Sequence, residues 1–207
     1  APRPVPGVSE AQVAAIRDAL AAAERPLVVP GGSLWSQDDA DALTRLAEGW
    51  GLPVAVPFRR QDYMDNRHPN YAGDLGVGMN LRLGEALREA DCILSLGARL
   101  GDSLTAGYEL MNPREQGRRI IHVYPDPDEI GHLWRADPGI AACPKAALAA
   151  LAKTPAPRRW DDWTARLRAH YETWQTPKPT PGAVRMEDVV CWLSANLPED
   201  AIVTNGA

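Results

Sequence analysis

Four short runs of almost unbroken apolar residues, each separated from the next by sequence of other patterning, limit what this chain can fold into. They are Pro26-Leu27-Val28-Val29-Pro30, Pro53-Val54-Ala55-Val56-Pro57, Cys92-Ile93-Leu94-Ser95-Leu96 and Ile120-Ile121-His122-Val123-Tyr124. A strand that is apolar on both faces must be covered on both faces, which is the condition of a parallel sheet between helix layers. A brief fifth run lies around Gly139-Ile140-Ala141-Ala142.

The intervening segments read as helices with their own start and stop signals. Ser9 and Gln12 form a capping box ahead of Val13, Ile16 and Leu20. Ser36 caps a helix whose inner face is Leu43, Leu46, Ala47 and Trp50, and Gly51 stops it. Met79, Leu83, Ala86, Leu87 and Ala90 mark a third helix, after a polar loop from Phe58 to about Gly78. Pro144 sits in the first turn of a fourth, where its missing N–H costs nothing. The expected fold is α/β: a doubly wound, mostly parallel, Rossmann-like sheet with helices on both faces, over residues 9–153.

Proline-rich stretches divide the rest. Residues 1–8 read as an interdomain linker, and residues 154–183 as a second linker holding one helix, from Arg158 to Trp174, with Trp160, Trp163, Leu167 and Tyr171 in a stripe. Residues 184–207 read as the start of another domain: a helix over 186–196, then a strand at Ala201-Ile202-Val203 running into a glycine turn. A strand with no following partner is expected in a piece of a longer protein.

The charge balance narrows the partners. With 22 basic and 27 acidic residues the net charge is −5, with no basic run to neutralise phosphates, so nucleic acid is not an expected partner. No run approaches the ~20 apolar residues of a membrane span. Cys92, Cys143 and Cys191 have no metal-binding spacing and read as reduced residues of a cytoplasmic protein.

Candidate sites gather at the ends of the apolar runs. The turn Gly31-Gly32 brings backbone amides to a phosphate or a sugar edge, yet the next helix opens on Asp38 and Asp39, which already complement its dipole. Arg99, two residues past Gly97, either meets a phosphate or carboxylate or pairs with Asp102. Asp126 either accepts hydrogen bonds from a ribose or caps a short helix. His68, His122, His132 and His170 give no metal spacing, and no G-x-S-x-G elbow is present. No catalytic residue and no metal site are expected within these residues.

Three segments in register resemble the central domain of thiamine diphosphate-dependent enzymes of the acetolactate synthase and 2-oxo acid decarboxylase family. They are Arg25 to Gly32, Ala90 to Asp102 and Ile121 to Gly131, with Tyr71-Ala72-Gly73-Asp74-Leu75-Gly76 correctly placed between the first two. Leu197 to Gly206 resembles the start of that family's diphosphate-binding domain. The resemblance implies a parent enzyme that makes or breaks C–C bonds of small 2-oxo acids with thiamine diphosphate and Mg²⁺. It also implies N- and C-terminal domains supplied by the same chain, and assembly as a homodimer or homotetramer.

By the same resemblance, Gly31, Gly32, Gly97, Arg99 and Asp126 would contact FAD or ADP, and Asn205 and Gly206 would edge the thiamine diphosphate site. Two departures, Cys143 before the last helix of the domain and Tyr124-Pro125 before Asp126, point away from a bound adenine nucleotide. The alternative reading is a regulatory module that binds FAD, ADP or NAD and carries no lyase or synthase activity.

Overall fold

A computed structural model describes residues 6–33 and 35–204. Six strands form one sheet: β1 (Pro26–Pro30), β2 (Val54–Pro57), β3 (Tyr71–Leu75), β4 (Cys92–Leu96), β5 (Arg119–Tyr124) and β6 (Gly139–Ala141). Their spatial order is β3-β2-β1-β4-β5-β6, and every pairing is parallel. Val28 stands opposite both Val54 and Leu94, so β1 is the centre from which the chain winds outward in two directions.

The helices are α1 (Glu10–Ala21), α2 (Gln37–Trp50), α3 (Leu81–Glu89), α4 (Pro144–Leu151), α5 (Asp161–Gln175) and α6 (Met186–Asn196). Right-handed crossovers are the rule for parallel strands. Because β1-α2-β2 and β3-α3-β4 step in opposite directions, that rule puts α2 and α3 on opposite faces. The capping box at Ser9 forms as the sequence predicts, with Ser9 N–H donating to Gln12 Oε1 at 2.8 Å. Gly51 ends α2 in the left-handed conformation at φ 66°, which glycine adopts without a Cβ penalty.

β3 lies inside the segment that reads as a polar loop. Tyr71, Ala72 and Leu75 are buried, but Gly73-Asp74 breaks the apolar pattern. Gly73 is there for space: at φ 119° its missing side chain leaves room for Leu83 and Tyr171, which a Cβ would meet at 3.2 and 3.4 Å.

The chain divides into two compact units, Ala1–Tyr171 and Glu172–Ala207. The first runs past the expected boundary because the helix read as part of a linker belongs to the core: Trp160, Trp163, Thr164 and Leu167 are all buried. Side-chain donors tie this segment to backbone carbonyls that precede or open the first three strands. The indoles of Trp160 and Trp163 donate to Ala23 and Pro26, at 3.0 and 2.8 Å, and Thr164 Oγ1 donates to Gly51 at 2.7 Å. Arg168 Nη1 donates to Asn66 and His68, at 2.8 and 3.0 Å.

In the second unit α6 contains no buried residue, and residues 201–204 form no strand. A strand needs a ladder partner, and none exists among the described residues of that unit. No helix among the described residues is long and apolar enough to cross a membrane.

Candidate functional site

The strand order reverses between β1 and β4, and in doubly wound sheets the crevice at the carboxyl ends of such a pair is the ligand position. The structure brings three of the seven candidate residues, Gly31, Gly32 and Gly97, into the wall of one cavity there. Gly31 and Gly97 meet back to back: Gly31 N–H donates to the Leu96 carbonyl at 2.9 Å, and a Cβ on Gly31 would stand 2.7 Å from the backbone of Ala98. Gly97 sits at φ 90°, and its N–H donates to Val123 at 2.9 Å. Only glycine permits this approach of two backbones.

Gly32, at φ 92°, offers its carbonyl to Tyr63 Oη at 2.8 Å and to Arg60 Nε at 3.1 Å. The Trp35 indole donates to the Gly31 carbonyl at 3.1 Å and stacks on Tyr63 with ring centroids 4.1 Å apart. Arg60, Tyr63 and Trp35 therefore clamp the turn, and sequence reasoning misses all three. The signal available was a pair of aromatic residues in otherwise polar segments after β1 and β2.

α2 caps itself. Asp39 Oδ2 accepts from Ser36 N–H and Ser36 Oγ, both at 2.8 Å, and pairs with Lys145 Nζ at 2.9 Å. Burial raises the Asp39 carboxyl, but the hydrogen bonds from Ser36 and Lys145 outweigh it and hold the group below the ordinary carboxylate value.

Two buried groups fix the loop after β4. Ser95 Oγ donates to the Ala98 carbonyl at 2.7 Å, and His122 Nε2 meets the same oxygen at 3.0 Å. Since a carbonyl only accepts, the proton is assigned to Nε2, and His122 Nδ1 is left buried without a partner. Burial pushes the imidazole below its ordinary value, against the opposing pull of the Ala98 hydrogen bond.

The same loop presents Arg99, which meets a carboxylate other than Asp102. Its Nε donates to Tyr124 Oη at 3.0 Å and lies 3.4 Å from Glu129. The Tyr124 hydrogen bond and the Glu129 charge raise the guanidinium pKa further. Asp102, the expected partner, instead accepts from the N–H of Ser103 at 2.8 Å. Asp126 caps the short 3₁₀ turn Pro127–Glu129, accepting from Asp128 N–H at 3.1 Å. Asn205 and Gly206 lie outside the described residues.

Between these elements is a cavity of about 360 Å³ lined by Gly31, Gly32, Trp35, Tyr124, Cys143 and Lys145 among others. A second, of about 630 Å³, lies between the segment after β3, Gly76 to Leu81, and the loop Asp102 to Leu110. Among the described residues no group of three or more His, Cys, Asp or Glu is placed to hold a metal ion.

The switch-point crevice does not fit a diphosphate-bearing cofactor such as FAD or ADP. The Gly31 amide is already donated, both nearby cations are paired, and the volume is at the lower end of the ~300–1,000 Å³ typical of ligand sites.

Comparison with known proteins agrees with the topology. The family model of the thiamine pyrophosphate enzyme central domain matches residues 13–151. The chain is 30% identical over 200 residues to the acetolactate synthase large subunit of Parasynechococcus marenigrum, covering 94% of this chain and 32% of that protein. It is 32% identical over 153 residues to the glyoxylate carboligase of Escherichia coli, covering 72% and 25%. To the sulfoacetaldehyde acetyltransferase of Alcaligenes xylosoxydans xylosoxydans it is 29% identical over 144 residues, covering 70% and 24%. The chain thus spans about a third or less of the length of these relatives. With its doubly wound parallel sheet and its matched span in agreement, this chain belongs to the family of thiamine pyrophosphate enzyme central domains.

Proposed function

We propose that this chain is the non-catalytic central domain of a thiamine diphosphate-dependent enzyme that makes or breaks C–C bonds of small 2-oxo acids. The observation that carries the reading is the family match over residues 13–151, on a doubly wound parallel sheet. Thiamine diphosphate supplies the electron sink for such chemistry, and Mg²⁺ is the expected bridge to its diphosphate. The residues described here do other work. The sheet and its clamped turns form a rigid spacer on which catalytic domains of the same polypeptide are mounted.

Residues 1–8 and the proline-rich stretch that follows α5 are read as its connections, and 184–207 as the first part of the diphosphate-binding domain, with Asn205 and Gly206 at the edge of that site. Two facts support the last assignment. The similarity to the acetolactate synthase large subunit extends well past residue 151, and α6 carries apolar residues that its own unit leaves exposed. The whole protein is expected to be a cytoplasmic homodimer or homotetramer.

Turnover tests the reading. The full-length protein, given thiamine diphosphate, Mg²⁺ and a panel of 2-oxo acids beginning with pyruvate, is expected to consume at least one of them. The 207-residue chain alone is expected to consume none. Turnover by the chain alone, or a full-length protein inert to the whole panel, would overturn it.

A further inference from the structure

We propose that the chain's own side chains seal the crevice between β1 and β4 against nucleoside diphosphates, with Tyr124 and Glu129 as the deciding residues. This inference concerns the central domain alone and stands whether or not the parent acts on 2-oxo acids.

Lys145 lines the crevice and Arg99 stands behind its Tyr124 wall, and each lies beside a carboxylate. Lys145 Nζ lies 2.9 Å from Asp39, whose side chain is only 17% exposed. Arg99 lies 3.4 Å from Glu129, whose side chain is 21% exposed, and donates its Nε to the Tyr124 hydroxyl at 3.0 Å. The guanidinium also faces the Tyr124 ring, at 5.8 Å from its centroid. Both acceptors crowd Nε, so a phosphate cannot use the Nε edge of the guanidinium for a bidentate contact without displacing them.

The glycine turn offers less than its sequence suggests. The Gly31 N–H is spent on Leu96 at 2.9 Å, inside the sheet. The first turn of α2 carries Asp38 and Asp39, and the turn after β5 carries Asp126 and Asp128, so an arriving diphosphate meets carboxylates on both sides. Tyr124 is also a wall of the 360 Å³ cavity, so the residue that satisfies Arg99 takes up space as well.

The geometry gives Tyr124 and Glu129 one shared role. β4 and β5 are parallel neighbours, with Leu96 opposite Val123, so the loops leaving their carboxyl ends emerge side by side. Arg99 leaves one strand, while Tyr124 and Glu129 come from the end of the other. Their contact therefore joins the two loops beside the crevice, holds Tyr124 in the cavity wall and turns Arg99 towards acceptors of the chain itself.

The test is thermal denaturation of the 207-residue chain with millimolar ADP or FAD, in the wild type, in Glu129→Gln, and in the double variant Tyr124→Ala with Glu129→Gln. The wild-type Tm is expected to stay unchanged. The double variant is expected to gain a saturable ADP-dependent rise of several degrees, lost again on adding Arg99→Ala. Glu129→Gln, which leaves the Tyr124 ring in place and keeps the test alive if the double variant misfolds, is expected to give a smaller rise. Inorganic pyrophosphate is expected to reproduce the effect and adenosine is not, because the freed group is a cation. A wild-type shift with ADP that Arg99→Ala abolishes would overturn the proposal, as would folded variants that remain unresponsive, or a shift given by adenosine alone.

Discussion

Trp163 of α5 and Trp192 of α6 each sit on a partly apolar helix face, yet they end in opposite states. Trp163 of α5 is 7% exposed, donates its indole N–H to Pro26 at 2.8 Å, and has the Arg166 guanidinium 4.4 Å from its ring centroid. Trp192 of α6 is 62% exposed, with Val189 and Val190 also exposed on the same helix. The difference lies in what the rest of each unit supplies. A buried indole needs an apolar floor and an acceptor together. The first unit offers both, in the core and in the free carbonyls before β1. The second unit offers neither among its described residues. An apolar stripe in a sequence therefore states a requirement for cover, while whether the cover is present depends on elements far away in the chain.

The sharpest way to break that comparison is a matched pair of truncations. Trp163→Ala should cost about 3–5 kcal/mol in urea denaturation of the 207-residue chain. Trp192→Ala should stay within about 0.5 kcal/mol. Equal costs would mean that the two helices are not in different states.

Next in size is a test of how closely the first unit is packed. A methyl at Gly31 would stand 2.7 Å from the Ala98 backbone, which cannot move without opening the β1–β4 contact. Gly31→Ala should therefore cost about 1–3 kcal/mol. Denaturation with wild-type stability would show that the two turns have slack between them.

A smaller effect comes from pH. His122 is held neutral by burial, so its folded-state value lies below the ordinary 6.5. As pH falls below about 6.5 the unfolded chain binds a proton that the folded chain resists, so this contribution to stability is present above that pH and lost beneath it. The slope from one such group is at most ~1.4 kcal/mol per pH unit. His122→Asn should flatten the stability curve between pH 7 and 5, and an unchanged curve would remove His122 as its source. At the small end, native-state hydrogen exchange should show α6 amides opening with a free energy near zero and the amides of the Trp163–Leu167 turn opening near the global value. Equal protection would dissolve the distinction between the units.

Much of the sheet was legible before the structure. β1, β2, β4 and β5 announce themselves because a strand covered on both faces has no polar alternation to confuse it. β3 stays hidden because Gly73-Asp74 breaks its apolar run, at a place where a Cβ would crowd Leu83 and Tyr171. The glycine turns at Gly31 and Gly97 are readable from their places after apolar runs. The partners of Arg99 are not. Asp102 is the natural choice within one loop, whereas Tyr124 and Glu129 enter only once β4 and β5 are known to be neighbours. The clamp of Trp35, Tyr63 and Arg60 on Gly31 and Gly32 is invisible for the same reason, since it joins segments that follow two different strands.

The straps from α5 and its approach also impose an order on synthesis. Trp160 and Trp163 bond to Ala23 and Pro26 across 137 residues of chain. A ribosome adding ~5–20 residues per second leaves the amino ends of the first strands uncovered for something on the order of ten seconds. During that interval the apolar floor under both indoles stands open to water and to other nascent chains. The last helix to join the first unit thus closes the surface on which the newborn domain is most prone to aggregate.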